Sequence, residues 1–214
     1  MSSESYLVIG GESSAFTTAY RATADPQRYT GEGFLGSTMV KALAARYPEA
    51  TISSLDIVQR HFPEKSQWTF YSADLTSLDS LSSAIKTCGA TTVFHTASPW
   101  TGSGAALCEK VNVQGTQTVV DACVQEGVKK LIFTSSAGTV YNGNDLINVD
   151  ERMPFPTVGL DPYNVTKVSF LCYCALRRSP LIKRDQAKAE TIVLSANGKG
   201  GLLTVALRPA GIFG

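Results

Sequence analysis

Short apolar runs alternate with stretches of helical periodicity along most of this chain. Tyr6 to Ile9 is an apolar run closed by Gly10-Gly11, which predicts a buried strand and a turn. Phe34 to Tyr47 places Leu35, Met39, Val40 and Leu43 at helical spacing. Strands are predicted over Thr51 to Ile57 and Trp68 to Leu75, followed by a helix over Ser77 to Cys88 and a buried strand over Thr92 to Thr96. One long helix is predicted over Leu107 to Gly127, then strands over Lys130 to Ser135 and Leu202 to Leu207, the last stopped by Arg208-Pro209. Strand–helix alternation of this kind predicts an α/β domain with a parallel sheet and helices on both faces.

Two segments break the pattern. Residues 11–30 (GESSAFTTAYRATADPQRYT) stand between the first strand and its helix. Residues 168–186 (VSFLCYCALRRSPLIKRDQ) interrupt what reads as one helix, which resumes over Ala187 to Asn197.

Composition narrows the function classes. A chain of 214 residues with 43% hydrophobic and 17% charged residues is globular rather than disordered, and long enough to bury a core without disulfides. The net charge of +1 carries no signature of nucleic-acid binding. Only two histidines occur, His61 and His95, without ligand spacing, so no metal centre is expected. The five cysteines are odd in number and unpaired in spacing, which suits a reducing compartment. The amino terminus lacks the basic and apolar regions of a signal peptide, and no run reaches the roughly 18 apolar residues of a membrane span.

A glycine-rich turn is the first motif with chemistry. Binding a dinucleotide between strand and helix needs glycines for the sharp turn and for backbone approach to the pyrophosphate, which then meets the helix amino terminus. Here Gly10-Gly11 ends the strand and Gly31-Glu-Gly-Phe-Leu-Gly36 opens the helix. Read without residues 11–30, the stretch is YLVIG-GEGFLG, with Gly10, Gly33 and Gly36 in the spacing G-x-x-G-x-x-G around Phe34 and Leu35. Asp56 ends the second strand 20 residues beyond Gly36, where a carboxylate binds ribose hydroxyls and repels a 2′-phosphate. NAD is therefore expected ahead of NADP. A strand-end cap is the other role open to Asp56. Asp74, followed by Leu75, either reaches the adenine or caps the next helix.

The second motif is Tyr163-Asn-Val-Thr-Lys167. On a helix, positions four apart share a face, so Lys167 can hold the tyrosine as phenolate and also bind the nicotinamide ribose, and Tyr163, beside the cofactor, can act as general acid or base. Ser136, 27 residues before Tyr163 at the end of a predicted strand, is placed to hydrogen-bond the reacting oxygen. Ser135 is the alternate.

Together these residues resemble the extended short-chain dehydrogenase/reductase superfamily. VFHTASP, VNVQGTQTVVDAC, KLIFTSSAGTVYNG, INVDERMPFP, DPYNVTK and LTVALRPAGIFG are similar to its 3β-hydroxysteroid dehydrogenase branch, above all to members that oxidise and decarboxylate sterol 4α-carboxylates. The resemblance implies a Rossmann-like doubly wound sheet in the strand order 3-2-1-4-5-6. It implies Ser136, Tyr163 and Lys167 as catalytic residues. It also implies Gly10, Gly33, Gly36 and Asp56 as cofactor ligands, with Thr96 and Ala97 lining the cofactor and Pro209 beside the nicotinamide. Asn112 is expected behind the site or in a helix contact. The implied reaction is NAD-dependent oxidation of a 3β-hydroxyl, after which the β-keto acid loses carbon dioxide. The implied partners are a sterol and other enzymes of sterol C4 demethylation, at the cytosolic face of the endoplasmic reticulum membrane. Another extended reductase or sugar-nucleotide epimerase, and an inactive cofactor-binding fragment, remain as alternatives.

The chain is read as one cofactor-binding domain, 1–214, ending where the family continues into a substrate lobe that is then largely missing. The two odd segments depart from the family, and removing them restores YLVIG-GEGFLG and YNVTK-AKAETIVLSAN. Gly11-Glu12-Ser13 and Val168-Ser169 can be encoded with splice donors, and Thr30-Gly31 and Gln186 with acceptors. Translated introns are the expectation, with surface loops as the alternative; the genomic sequence at these four borders distinguishes them. Removing both takes the net charge from +1 to −2 and removes Cys172 and Cys174. The basic, apolar part of the second segment otherwise reads as a membrane-surface stretch.

Overall fold

The computed structural model of the chain describes residues 4–10, 34–57, 67–99, 105–140, 145, 147–155, 188–210 and 212. Six strands form a single sheet: β1 (Ser5–Ile9), β2 (Thr51–Asp56), β3 (Thr69–Ser72), β4 (Thr92–His95), β5 (Lys130–Thr134) and β6 (Leu203–Leu207). Their order is β3-β2-β1-β4-β5-β6 and every neighbouring pair is parallel. This is the doubly wound order expected from the sequence.

Parallel strands need covered faces, and both sides are supplied. Helix α1 (Phe34–Arg46) packs on one face, where Val40 and Ala44 meet Tyr6, Val8 and Ile52. Helices α2 (Leu78–Cys88), α4 (Thr116–Gln125) and α5 (Lys188–Ser195) cover the other. Leu7, Ile9, Leu81, Val93, Val119, Phe133 and Val193 form the larger core there. The Ser77 side chain caps α2 by accepting a hydrogen bond from the Ser80 amide at 3.3 Å. Among the described residues no helix is long and apolar enough to cross a membrane.

Three expectations need correction. The third strand is short, because past Ser72 the Asp74 carboxylate accepts hydrogen bonds from the amide and hydroxyl of Thr76, both at 2.8 Å, and turns the chain into α2. The helix expected over Leu107 to Gly127 is composite: α3 (Ala105–Cys108), a π-helical stretch Glu109–Gly115, then α4. A π turn carries one more residue per hydrogen-bonded ring, a shift that apolar periodicity alone does not register. The helix after the second odd segment, described from Lys188, closes at Ser195 and not at Asn197.

Candidate cofactor and catalytic site

The strand order reverses between β1 and β4. Their connections leave on opposite faces, so a crevice opens at the carboxyl ends of the strands. Gly10 stands at that point. Its amide donates to the Leu55 carbonyl at 2.8 Å, and its φ is +84°. A Cβ there would lie 2.9 Å from both the amide nitrogen and the Cα of Ala97. Across from it, the Thr96 amide and hydroxyl donate to the Ile9 carbonyl at 3.0 and 2.8 Å. Gly10, Thr96 and Ala97 thus converge on one bare stretch of backbone.

Asp56 lies next along this edge, at the end of β2, and is buried. One carboxylate oxygen accepts from the Ile57 amide at 2.7 Å, so the local capping role is real. The same side chain lines a small cleft with Gly10, Leu75, Ala97 and Val111, so a cofactor role is also sterically open. One Asp74 oxygen accepts both hydrogen bonds from Thr76 in the turn that leads into α2, while the cap of that helix is Ser77. A larger hollow of about 400 Å³ lies between α4 and α5, lined by Gln117, Asp121, Ile192 and Lys199, and holds none of the candidate residues.

Behind the cleft, the π-helical stretch places two groups. Asn112 is buried and its Oδ1 accepts from the Ser98 hydroxyl at 3.0 Å, tying the helix to the segment after β4. Gly115 allows the helix to touch Leu75: a Cβ there would meet Leu75 Cδ1 at 1.8 Å. Overpacking of this kind costs roughly 1–3 kcal/mol. About 1 kcal/mol of helix propensity is recovered when glycine is replaced by alanine. Gly115→Ala is therefore expected to lose about 1 kcal/mol in urea denaturation and Gly115→Val more. Parental midpoints for both would contradict this contact.

On the far side of the crevice, β5 runs out at Ser135 and Ser136. The Ser135 amide donates to the Leu207 carbonyl at 2.7 Å and the Ala137 amide to the Pro209 carbonyl at 2.8 Å. Ser136 is held between these two bonds, half-buried, with its Oγ accepting from the Gly138 amide at 3.1 Å. The Ser135 hydroxyl is committed elsewhere: it is buried and donates to Glu190 at 2.6 Å. Of the two serines, Ser136 has the hydroxyl closer to solvent.

Gly10, Asp56, Thr96, Ala97, Ser136 and Pro209 therefore share the carboxyl edge of the sheet. Leu35 and Gly36 lie in the first turn of α1, half-buried and buried respectively, and Phe34 begins that helix. Gly33, Tyr163 and Lys167 lie outside the described residues, as do the two segments 11–30 and 168–186. His95 is fully buried in β4, with Nε2 3.0 Å from the Thr116 hydroxyl and its ring against Phe133. That is a core role. Cys88, Cys108 and Cys123 are buried and form no disulfide, and burial pushes the Cys123 thiol up to about 12, so it offers no thiolate at neutral pH.

Sequence reasoning missed Glu190 and Arg208. Glu190 is a charged residue at a buried position of α5, between the buried Ala189 and Val193, and that misplaced charge was the available signal. It forms a two-point ion pair with Arg208.

Residues 29–169 and 174–214 match the 3-beta hydroxysteroid dehydrogenase/isomerase family. The chain is 38% identical over 193 residues to a decarboxylating sterol-4-alpha-carboxylate 3-dehydrogenase of Candida albicans, covering 86% of this chain and 49% of that protein. It is 40% identical over 194 residues to the Saccharomyces cerevisiae protein of the same name, covering 86% and 50%. The chain thus spans about half the length of the curated relatives it matches. Among solved structures, the Brucella ovis UDP-glucose 4-epimerase in complex with NAD superposes with a TM-score of 0.68 at 22% identity, over 96% of this chain and 51% of that one. MoeE5 in complex with UDP-glucose and NAD gives 0.62 at 28%, over 95% and 53%. With its parallel sheet, its glycine crevice and a family match over most of its length, this chain belongs to the 3-beta hydroxysteroid dehydrogenase/isomerase family.

Proposed function

We propose that this chain is the cofactor-binding and catalytic half of an NAD-dependent enzyme. Its substrate on this reading is a 4α-carboxysterol, whose 3β-hydroxyl is oxidised before the carboxylate leaves as carbon dioxide. The observation that carries the reading is the placement of Gly10, Asp56 and Ser136 along one sheet edge, in a family of 3β-hydroxysteroid dehydrogenases whose Tyr163-x-x-x-Lys167 this chain retains. The substrate class rests on the names of the relatives.

The residues present fit NAD. Gly10 turns at φ +84° with no side chain at the crevice between β1 and β4, and the buried Asp56 carboxylate suits a ribose diol. NAD, when bound, supplies a hydride acceptor. Gly10, Gly33 and the first turn of α1 would hold its phosphates, Asp56 its adenosine ribose, and Thr96, Ala97 and Pro209 would lie beside it. Tyr163 takes the proton of the 3-hydroxyl onto its phenolate oxygen, and the Lys167 ammonium favours that phenolate by charge. Ser136 donates a hydrogen bond to the same substrate oxygen and steadies it as the carbonyl forms. Once the 3-ketone exists, the C4–carboxylate bond breaks, its electron pair passes to the ketone oxygen, and a proton then returns to C4.

Purified protein incubated with NAD and a 4α-carboxy-3β-hydroxysterol is expected to release NADH and carbon dioxide in equal amounts. No NADH from this sterol, or turnover of UDP-glucose instead, overturns the proposal. The cofactor preference has its own test. Asp56→Asn keeps an acceptor for the Ile57 amide but removes the charge. A charge-assisted hydrogen bond is worth about 1.5–3 kcal/mol, so the NAD Kd is expected to rise by roughly tenfold or more. The NADP Kd should rise less, because repulsion of the 2′-phosphate goes with the charge. An unchanged ratio of the two affinities, measured by calorimetry, would remove Asp56 from the ribose site.

The two segments 11–30 and 168–186 are proposed as retained introns. Their removal makes both motifs contiguous, and genomic DNA lacking GT and AG at their borders would refute it. Work at the cytosolic face of the endoplasmic reticulum, beside other enzymes of sterol C4 demethylation, follows from the same proposal.

A further inference from the structure

Glu190 is the most deeply buried carboxylate among the described residues, at 2% exposure, and the chemistry above gives it no task. Its Oε1 accepts from Arg208 Nη2 at 2.8 Å and from Nε at 3.1 Å. Its Oε2 accepts from the Ser135 hydroxyl at 2.6 Å and from Arg208 Nε at 3.2 Å. The Arg208 guanidinium also lies over the Phe155 ring, 4.9 Å from its centroid. One side chain of α5 therefore grips the last turns of two neighbouring strands.

Each gripped residue directly precedes a residue of the site. Ser135 precedes Ser136, and Arg208 precedes Pro209. Beyond the strand ends, the two segments stay paired through the Ser135 and Ala137 amides, which bond to the Leu207 and Pro209 carbonyls. Those bonds straddle Ser136. A neutral side chain at 190 would leave the Arg208 charge, only 18% exposed, without its counter-charge, and would offer fewer acceptor positions to two donors. The free ends of β5 and β6 could then slide relative to each other.

We propose that Glu190 is a positioning residue: through Ser135 and Arg208 it fixes Ser136 and Pro209 at the spacing hydride transfer requires. The effect on turnover rests on the reading under Proposed function; the clamp itself does not. The adenosine end of the cofactor site, at Gly10 and Asp56, lies on β1 and β2, away from this clamp. NAD affinity and turnover should therefore separate.

The test compares Glu190→Gln and Arg208→Lys with the parent chain. Amide exchange followed by mass spectrometry or NMR is expected to accelerate at Ser135 and Ala137 and to stay unchanged in β1 and β2. Turnover per folded molecule is expected to fall roughly 10- to 100-fold, the loss that a misplacement of about 1 Å brings, with the NAD Kd within about twofold of the parent. A merely structural role would instead speed exchange across the whole sheet and leave the turnover of the folded fraction unchanged. Unchanged exchange at Ser135 and Ala137 overturns the clamp. Faster exchange with unchanged turnover overturns the positioning role. If the parent oxidises no 3β-hydroxysterol, the functional reading fails while the exchange measurement still decides the clamp. Should Glu190→Gln not fold, Arg208→Lys, which keeps the charge but not the two-point geometry, decides both arms.

Discussion

Tyr163→Phe is expected to lower the oxidation of a 3β-hydroxysterol by roughly 10²–10⁴-fold, the usual contribution of a positioned general base, with the NAD Kd within about twofold of the parent. On the proposed mechanism the phenolate oxygen accepts the 3-hydroxyl proton, and phenylalanine removes that oxygen at little change in volume. Loss of turnover with retained binding is the signature of a group that acts on the reacting atoms. The companion variant Lys167→Ala gives the sign of the electrostatic effect. An ammonium beside a phenol favours its ionised form, so removing it makes the phenolate harder to form. Turnover at a fixed pH should therefore fall in Lys167→Ala as well, and less than in Tyr163→Phe, which has no phenolate to form. A Tyr163→Phe protein that keeps parental turnover would take the tyrosine out of the mechanism and the proposed reaction with it.

Much of this arrangement was legible in the sequence because parallel strands buried on both faces read as near-continuous apolar runs. Leu7, Ile9, Val93 and Phe133 are such positions, and all are essentially inaccessible to solvent. The carboxyl ends followed from the same runs. A residue at or just past the end of a buried strand must sit at the carboxyl edge of the sheet, and Gly10, Asp56, Thr96 and Ser136 do so. Local chemistry resolved less. Asp74 reads as ligand or cap, whereas its two hydrogen bonds to Thr76 build the turn that precedes the Ser77 cap. Ser135 and Ser136 are adjacent, and the sequence offers Ser136 with Ser135 as the alternate. The pleat separates them, sending one hydroxyl into Glu190 and leaving the other half-exposed. Glu190 and Arg208 stand 18 positions apart, on a helix and just beyond a strand, and meet because α5 packs on β6, while the β5–β6 register brings Ser135 to the same carboxylate. No local pattern encodes that packing. The π-helical stretch was equally hidden, since Val111 and Val113 are apolar positions that ordinary helical spacing also accommodates.

Gly10→Ala is expected to damage both fold and cofactor binding. The residue adopts φ +84°, a conformation that costs a non-glycine residue about 1–3 kcal/mol. Space is the second obstacle. The new Cβ would come within 2.9 Å of the Ala97 nitrogen and Cα and 3.1 Å of the Thr96 hydroxyl. The first two atoms are backbone, held by the pairing of β1 with β4 and by the Thr96 bonds to the Ile9 carbonyl. They cannot swing aside as a side chain can. Either β4 moves away from β1 or the turn after β1 changes its dihedrals, and both disturb the edge on which the phosphates would rest. Strain and overpacking together suggest a loss of about 2–4 kcal/mol. For a domain of this size that is a fall of roughly 5–15 °C in Tm. At a temperature where the variant is folded, its NAD affinity should still fall by about tenfold or more, because the displaced turn or strand end no longer offers the phosphates the same backbone edge. Thermal unfolding and NAD titration of the same preparation separate the two effects. A variant with parental Tm would show that the turn relaxes freely. A variant with lowered Tm but parental NAD affinity would place the phosphates elsewhere than Gly10.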